Sequence, residues 1–431
     1  MAARLPTTPR RDGVLRLLGA TLVDGTGARP VPDSEVELRD GEITYAGPRR
    51  SAGTRAGTAD GVTSVDLAGH HLLPGFVDAH VHLSMVPTPP EEQRARFPEE
   101  HVLETAEVLR TTLHAGVTTA RDLDGLTPGY RDAVTRGTVD GPRLHLAIAM
   151  LSPTGGHADP SLPNGSLPAW AVRPGMPAPG LVDTDEDVVR TVRTLVRTGA
   201  DVIKVSTSGG SGSPTDEPED VGISEEQVRL IVRLLDERGG RPVTAHAMTD
   251  RAARAAVLGG ASSIEHGYDL SDATIALMVE RGTVLVPTLS TLLRQLDPAT
   301  TPPERLVQRA VRQERGLDSV RRAVAAGVPL ALGTDAGVHP HGRNLAELGR
   351  FVQVGLSPLA AIRAGTQQGA RLLGLEALLG SVTPGALGDL VVTRVDPLSD
   401  LGALADAASV RAVLQSGRVV KDLDGLLATA S

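Results

Sequence analysis

Two histidines two residues apart, His80 and His82, end the run Leu72-Leu73-Pro74-Gly75-Phe76-Val77-Asp78-Ala79-His80-Val81-His82 in a chain that holds twelve histidines. If that run is a strand, successive side chains alternate between its faces, so both imidazoles share one face and Val81 takes the other. Two adjacent imidazoles at a strand end can hold one metal ion. Such a pair also arises by chance, so its meaning depends on its company. Further along, Lys204 follows Val202-Ile203, His246 follows Val243-Thr244-Ala245, His266 follows Ile264-Glu265, and Asp335 follows Leu332-Gly333-Thr334. Taken singly, each reads more readily as a core or helix-capping residue. Four histidines and an aspartate at the same edge of different strands are much harder to reach by accident.

Lys204 is the unusual member. On its own it reads as a snorkelling or ion-paired lysine. A buried lysine has a lowered pKa, and its neutral amine is a nucleophile. Such an amine can add carbon dioxide and become a carbamate, an anion able to bridge two metal ions. His157 stands apart, in a Pro- and Gly-rich stretch from Ser152 to Pro179 that carries the single tryptophan, Trp170. A loop of that length is uncommon unless it is functional. His339 and His341 flank Pro340 and either line a pocket or cap a turn. Arg343, close by, suits a substrate carboxylate or the open surface.

These residues need a scaffold that brings strand ends together. Between about residues 70 and 375, apolar runs alternate with amphipathic helices. Helices are expected over 101–114, 185–197, 250–258, 272–281 and 317–326, each followed by an apolar run. Another starts at Ser224, with Gln227 three residues on as a capping box and Val228, Ile231, Val232 and Leu235 as its apolar face. With Leu73–Val77 and Leu144–Ile148 the strands number eight, which predicts a closed (β/α)8 TIM-type barrel whose site lies at the C-terminal strand ends. No Gly-rich GxGxxG follows the first strand, which counts against an open doubly wound sheet. Short apolar runs separated by Asp24-Gly25 and Asp40-Gly41 mark hairpins before residue 69, and similar runs return after residue 376. A small β-sandwich domain built from both termini, 1–69 with 376–431, is expected beside the barrel, 70–375.

Composition narrows the chemistry. Aromatic residues make up 2% of the chain, so the core must be Val, Leu, Ile and Ala. The chain has no cysteine, which removes disulfides, thiolate zinc sites and a cysteine nucleophile and leaves N and O donors for any metal. A net charge of −9 and the lack of a basic block give nucleic-acid binding no support. No uncharged apolar stretch of about 18 residues is present to span a membrane. Arg10-Arg11 is followed by Asp12-Gly13 and Arg16 rather than an apolar signal core, so a strand and a cytoplasmic protein are expected.

In its motifs the chain resembles the amidohydrolase superfamily, specifically its imidazolonepropionase-like and Xaa-Pro-dipeptidase-like metal-dependent hydrolases. The matching phrases are Pro74–His82, Thr154-Gly155-Gly156-His157, Val202–Val205 with Ser208-Gly209-Gly210, Ala245-His246-Ala247, Ile264-Glu265-His266-Gly267, Leu332–Gly337 and the tail Gly380–Val392. The resemblance implies two divalent metal ions, usually zinc. His80, His82 and Asp335 would hold one, His246 and His266 the other, with carbamylated Lys204 bridging. Asp335 would act as general base and then general acid, and His157 would stabilise the oxyanion. One departure is Met248, where relatives acting on dipeptides commonly carry Tyr or His; methionine cannot donate a hydrogen bond to substrate. The implied activity is hydrolysis of an amide-type C–N bond in a dipeptide, an N-acyl amino acid or a small cyclic amide. The rivals are an imidazolone-type ring hydrolase or a deaminase acting on a specialised metabolite, and a non-catalytic binding protein on the same scaffold. The expected partner is a small molecule, and the resemblance also admits a homo-oligomer.

Overall fold

The computed structural model describes residues 8–428 except 51–56, 60, 89–91, 93–95, 163, 168–178, 211–215 and 300. Trp170 lies outside the described residues.

The two chain ends build two sheets over a common core. In one, Val14–Leu18 pairs antiparallel with Ser34–Arg39 and parallel with Val62–Asp66. In the other, His71–Pro74 pairs antiparallel with Leu390–Thr393, which pairs in turn with Val410–Gln415. Leu15, Leu17 and Leu38 of the first sheet pack with Leu72, Leu390 and Leu414 of the second. Arg143 ties this unit to the rest: it bonds the Asp389 carboxylate at 3.0 Å and Ser416 Oγ at 2.6 Å.

The strand expected over Leu73–Val77 is instead parts of two strands in different sheets. His71–Pro74 belongs to the terminal sheet, and β1, Phe76–Val81, begins after Gly75. A side chain at Gly75 would put its Cβ 2.2 Å from Thr118 Oγ1. Only glycine therefore lets the chain cross from one sheet to the other here. A boundary drawn at residue 70 falls just before a strand that pairs within the terminal sheet.

From β1 the parallel ladder runs to β2 (Val117–Asp122) and β3 (Arg143–Leu146). A second ladder joins β4 (Met150–Ser152), β5 (Ile203–Ser206), β6 (Val243–Ala247), β7 (Ser263–His266) and β8 (Val284–Val286). The segment 329–336 links the two. Leu330 bridges Leu285, Ala336 bridges Val81, and the Ala79 amide bonds Leu332 O at 2.8 Å. The expected strand Leu144–Ile148 stops early because Ile148 turns to φ 72°, and β4 resumes after it.

Helices alternate with these strands: α1 (Pro98–His114), α2 (Pro128–Thr135), α3 (Asp185–Thr198), α4 (Glu225–Asp236), α5 (Asp250–Gly259) and α6 (Asp272–Arg281). Then come α7 (Leu289–Leu292), α8 (Pro303–Ala325) and α9 (Ala346–Gln353). The Ser224–Gln227 capping box forms as expected, and Val228, Ile231 and Leu235 are buried beneath it. Helix α8 starts fourteen residues before the expected Leu317, and its buried residues begin only at Gly316. Its first half carries Leu306, Val307, Ala310 and Val311 at helical spacing, but none of the four is buried. Among the described residues, no helix is long and apolar enough to cross a membrane.

Candidate metal centre

His80 sits at the end of β1, His82 just past it, and Asp335 on the segment that closes against the same strand. The Asp335 amide bonds the His80 carbonyl at 2.7 Å, so backbone pairing alone brings these positions together. Asp78 tightens the junction: its carboxylate accepts from Thr334 Oγ1 and Asn344 Nδ2, both at 2.8 Å. Asp335 Oδ1 then lies 3.4 Å from His80 Nε2 and 3.2 Å from His82 Nε2. The ligand atoms of these three buried residues all fall within 4.8 Å of one another. Burial disfavours a charged His82 ring, but Asp335, with Asp122 and Asp124 behind it, pushes its pKa up to about 9. A proton there occupies the place a cation would compete for.

The other donors converge from neighbouring strands. The ring of His266, at the end of β7, lies 5.2 Å from that of His80 and 4.5 Å from that of His246, on β6. His157 stacks on His246 at 4.1 Å, with its Nδ1 3.3 Å from Asp216 Oδ2. Burial, with the neighbouring cationic groups, holds His246 and His266 well below the ordinary imidazole pKa. Both are neutral rings with a lone pair to give. His266 and Asp335 have φ of 74° and 60°, left-handed conformations that His and Asp tolerate better than most residues.

Lys204 lies in the middle of β5 and is 1% exposed. Its amine is buried with no hydrogen-bond partner among the described residues. Burial first, and the Arg121 guanidinium second, push its pKa down to about 8, against the opposing carboxylates of Glu265, Asp335 and Asp124. A lone buried amine beside four imidazoles and a carboxylate is costly to keep unless something binds it. An N/O donor set with an orphaned amine fits two divalent cations and a carbamate between them.

The ring nitrogens are assigned by what they touch. His80 Nδ1 is 2.7 Å from Glu265 Oε2, His82 Nδ1 is 3.4 Å from Asp124 O, and His246 Nε2 is 3.1 Å from Gly209 O. Each partner is an acceptor, so that nitrogen carries a proton and the other is the one a metal would take, at His80 and His82 in place of the proton that faces Asp335. Glu265 was not singled out from its neighbour His266 by any motif. It is fully buried, bonds Arg121 Nη2 at 2.9 Å, and accepts from Ser263 Oγ at 2.8 Å. Burial would raise its pKa, but Arg121, Lys204 and His80 hold it well below the carboxylate range. The one signal available was a pair of opposite charges, Arg121 and Glu265, each near the C-terminal end of a short strand.

The remaining candidates are placed as follows. Gly209 and Gly210 make room for the loop: a Cβ at Gly210 would lie 2.0 Å from the His157 ring. Met248 is buried in the main apolar core, its amide bonded to Ser208 Oγ at 3.1 Å. His341 bonds Met85 O at 2.8 Å, and burial lowers its pKa to about 4. Its neighbour His339 bonds the Thr334 carbonyl at 2.9 Å, and Arg343 is exposed.

Parallel strands whose C-terminal ends carry this donor set are the mark of a metal-dependent hydrolase. The family model of the amidohydrolase family matches residues 71–420. The chain is 32% identical over 376 residues to ochratoxinase of Aspergillus niger, across 81% of this chain and 75% of that protein. Among solved structures, a prolidase complexed with N-methylphosphonate-L-proline superposes with a TM-score of 0.85 at 31% identity, covering 95% of this chain and all of that one. A Xaa-Pro dipeptidase with bound methionine gives a TM-score of 0.82 at 28% identity, covering 94% and 99%. The chain belongs to the amidohydrolase family, and it is a metal-dependent enzyme that hydrolyses amide-type C–N bonds.

Proposed function

We propose that the protein is a binuclear zinc hydrolase that cleaves the amide bond of a dipeptide, an N-acyl amino acid or a small cyclic amide. The closing strand ring is read as a (β/α)8 barrel, with the paired terminal sheets as its small companion domain. The observation that carries the proposal is the partnerless Lys204 amine among His80, His82, His246, His266 and Asp335. His80, His82 and Asp335 would hold one ion and His246 and His266 the other. Lys204 Nζ would add carbon dioxide, forming an N–C bond and losing one proton, to give the carbamate that joins them. Ions bound there acidify water to a pKa of roughly 7 and polarise the substrate carbonyl.

The chain's own groups do the rest. Asp335 is held as a carboxylate by His80 and His82 despite its burial. Its oxygen takes the proton of the attacking water and passes it to the leaving nitrogen. His157, stacked on His246, donates to the oxygen on which charge develops. The glycines of Ser208-Gly209-Gly210 let it reach that position. The same proposal places the enzyme in the cytoplasm, acting on a small molecule.

The test is a hydrolysis screen of the zinc-loaded chain prepared with bicarbonate. Dipeptides, N-acyl amino acids and cyclic amides are offered, and free amino acid and ammonia are both assayed. Release of an amino acid supports the proposal. Ammonia release alone points to deamination, and opening of an imidazolone ring to the second reading, which 27% identity to the imidazolonepropionase of Ralstonia nicotianae over 89% of the chain favours. A chain that binds two ions per molecule yet turns over nothing in the panel overturns the substrate class.

A further inference from the structure

Three of the four imidazoles present their second nitrogen to a group that can only accept. His266 is the exception. Its Nδ1 is 2.7 Å from Thr288 Oγ1, a hydroxyl that can donate or accept. By itself that hydroxyl permits either tautomer, and only one leaves Nε2 free for a metal.

Tyr268 removes the ambiguity. Its phenolic oxygen is 3.1 Å from the Thr288 carbonyl and 2.7 Å from Thr288 Oγ1. The carbonyl, which also accepts from the Thr291 and Leu292 amides at 3.0 and 3.1 Å, can take the phenol proton as well. With the phenol proton directed there, the phenol oxygen accepts from the Thr288 hydroxyl in the shorter contact. With its own proton directed at Tyr268, Oγ1 offers His266 only a lone pair. His266 Nδ1 therefore carries a hydrogen, and Nε2 carries the free pair.

The relay depends on where Thr288 is held. Thr288 is fully buried with φ 46°, a conformation that is an outlier for a β-branched residue. The next two amides, of Leu289 and Ser290, donate to the Glu347 carboxylate at 2.6 and 2.7 Å. Ser290 Oγ adds a third bond at 2.6 Å. A carboxylate on α9 thus clamps the first turn of α7 and keeps Thr288 turned toward the centre.

We propose that Tyr268 is a positioning residue that, through the Thr288 hydroxyl, fixes His266 as the Nδ1-protonated tautomer and delivers its Nε2 to the ion shared with His246. The inference rests on the two-ion reading of the centre. The test compares the full-length wild type with Tyr268→Phe, Thr288→Ser and Thr288→Val. Zinc affinity at each of two sites is measured by chelator competition, and the His266 ring nitrogen shifts are recorded in 15N-histidine-labelled chain before zinc is added.

In Tyr268→Phe the Thr288 hydroxyl is free to turn and donate to the ring. The expected result is a 10- to 100-fold weaker second zinc site, an unchanged first site, and a mixture of His266 tautomers. Thr288→Ser keeps the hydroxyl and restores two tight sites. Thr288→Val loses it and weakens the second site at least as much; if that variant does not fold, the phenylalanine and serine variants decide the matter. Tyr268→Phe binding both ions as tightly as wild type overturns the relay while leaving the two-ion reading intact. Equal loss at both sites together with a lowered unfolding midpoint also overturns it, because that is the mark of a general structural role. A wild-type chain that holds fewer than two ions overturns the two-ion reading and the relay with it.

Discussion

Replacing Glu265 by Gln keeps the volume of the side chain and removes its charge. The consequences separate into two magnitudes. Glu265 and Arg121 are a buried pair, 0% and 1% exposed at the side chain. Removing one partner of such a pair costs about 3–5 kcal/mol, because the other charge is left without compensation in a medium that solvates it poorly. That is a large part of the ~5–15 kcal/mol by which domains are stable. Arg121 keeps its bonds to the Ala79 carbonyl at 2.5 Å and to the Ser263 hydroxyl, and the amide oxygen can still accept from it, but the opposite charge is gone. The second effect is on His80. A carboxylate can only accept from Nδ1, whereas an amide can turn its NH2 toward the ring and favour the wrong tautomer. Loss of such an outer partner weakens a metal ligand by roughly 10- to 100-fold, or about 1.4–2.8 kcal/mol. Denaturant unfolding of the zinc-free chain reads the first effect, and chelator competition reads the second. Adding Arg121→Met to Glu265→Gln removes the stranded charge, so stability should recover in large part while zinc affinity at the His80, His82 and Asp335 site stays low. The reasoning is refuted if the single variant unfolds and binds zinc as wild type does, or if the second substitution restores metal affinity.

Asp335→Asn should lower kcat by roughly 10²- to 10⁴-fold, the usual contribution of a general base, with circular dichroism unchanged; near-normal turnover would remove Asp335 from the chemistry. Lys204→Ala should reduce bound metal from two ions per chain to one, measured by elemental analysis after gel filtration, and short carboxylic acids should partly restore the second ion. Gly210→Ala would place a methyl 2.0 Å from the His157 ring, so turnover should fall by ten-fold or more with zinc content intact if His157 acts on the substrate. Stripping the metal should lower the midpoint of thermal unfolding, because an ion bound only by the folded state stabilises it in proportion to RT ln(1 + [L]/Kd); equal melting curves with and without chelator would argue against a preformed site.

The candidate ligand positions could be picked out in the sequence because they depend on local periodicity. Period-two alternation puts His80 and His82 on one face wherever the strand lies, and each later ligand closes an apolar run of its own. The outer partners were not legible, because they are matters of three-dimensional proximity. Glu265 is 185 residues from His80, and Thr334 and Asn344 are 256 and 266 residues from Asp78. Thr288 had no signal at all, since its effect comes from a backbone turn that local propensity opposes. Element errors share a cause as well. Leu73 to Val77 reads as one apolar strand, and only the contact between Gly75 and Thr118 shows why the chain must break there. The first half of α8 has Leu306, Val307, Ala310 and Val311 at helical spacing but buries none of them, so the expected helix began only where packing does.

The strand pairing at the chain ends has a consequence for synthesis. His71–Pro74 finds its antiparallel partner in Leu390–Thr393, more than three hundred residues later. A ribosome emits the first strands long before the segment that completes their sheet exists. Through most of translation, Leu72 and Leu73 lack the strand that would pair with and cover them, directly ahead of the strand that bears His80. Nascent chains with unpaired apolar edges are prone to aggregate. Truncation before residue 390 would therefore do more than delete a peripheral tail. It would leave one edge of the entry to the His80 strand permanently without its partner, since Thr21–Leu22 covers only the other edge, so the chain is most exposed before residues 390–393 have been made.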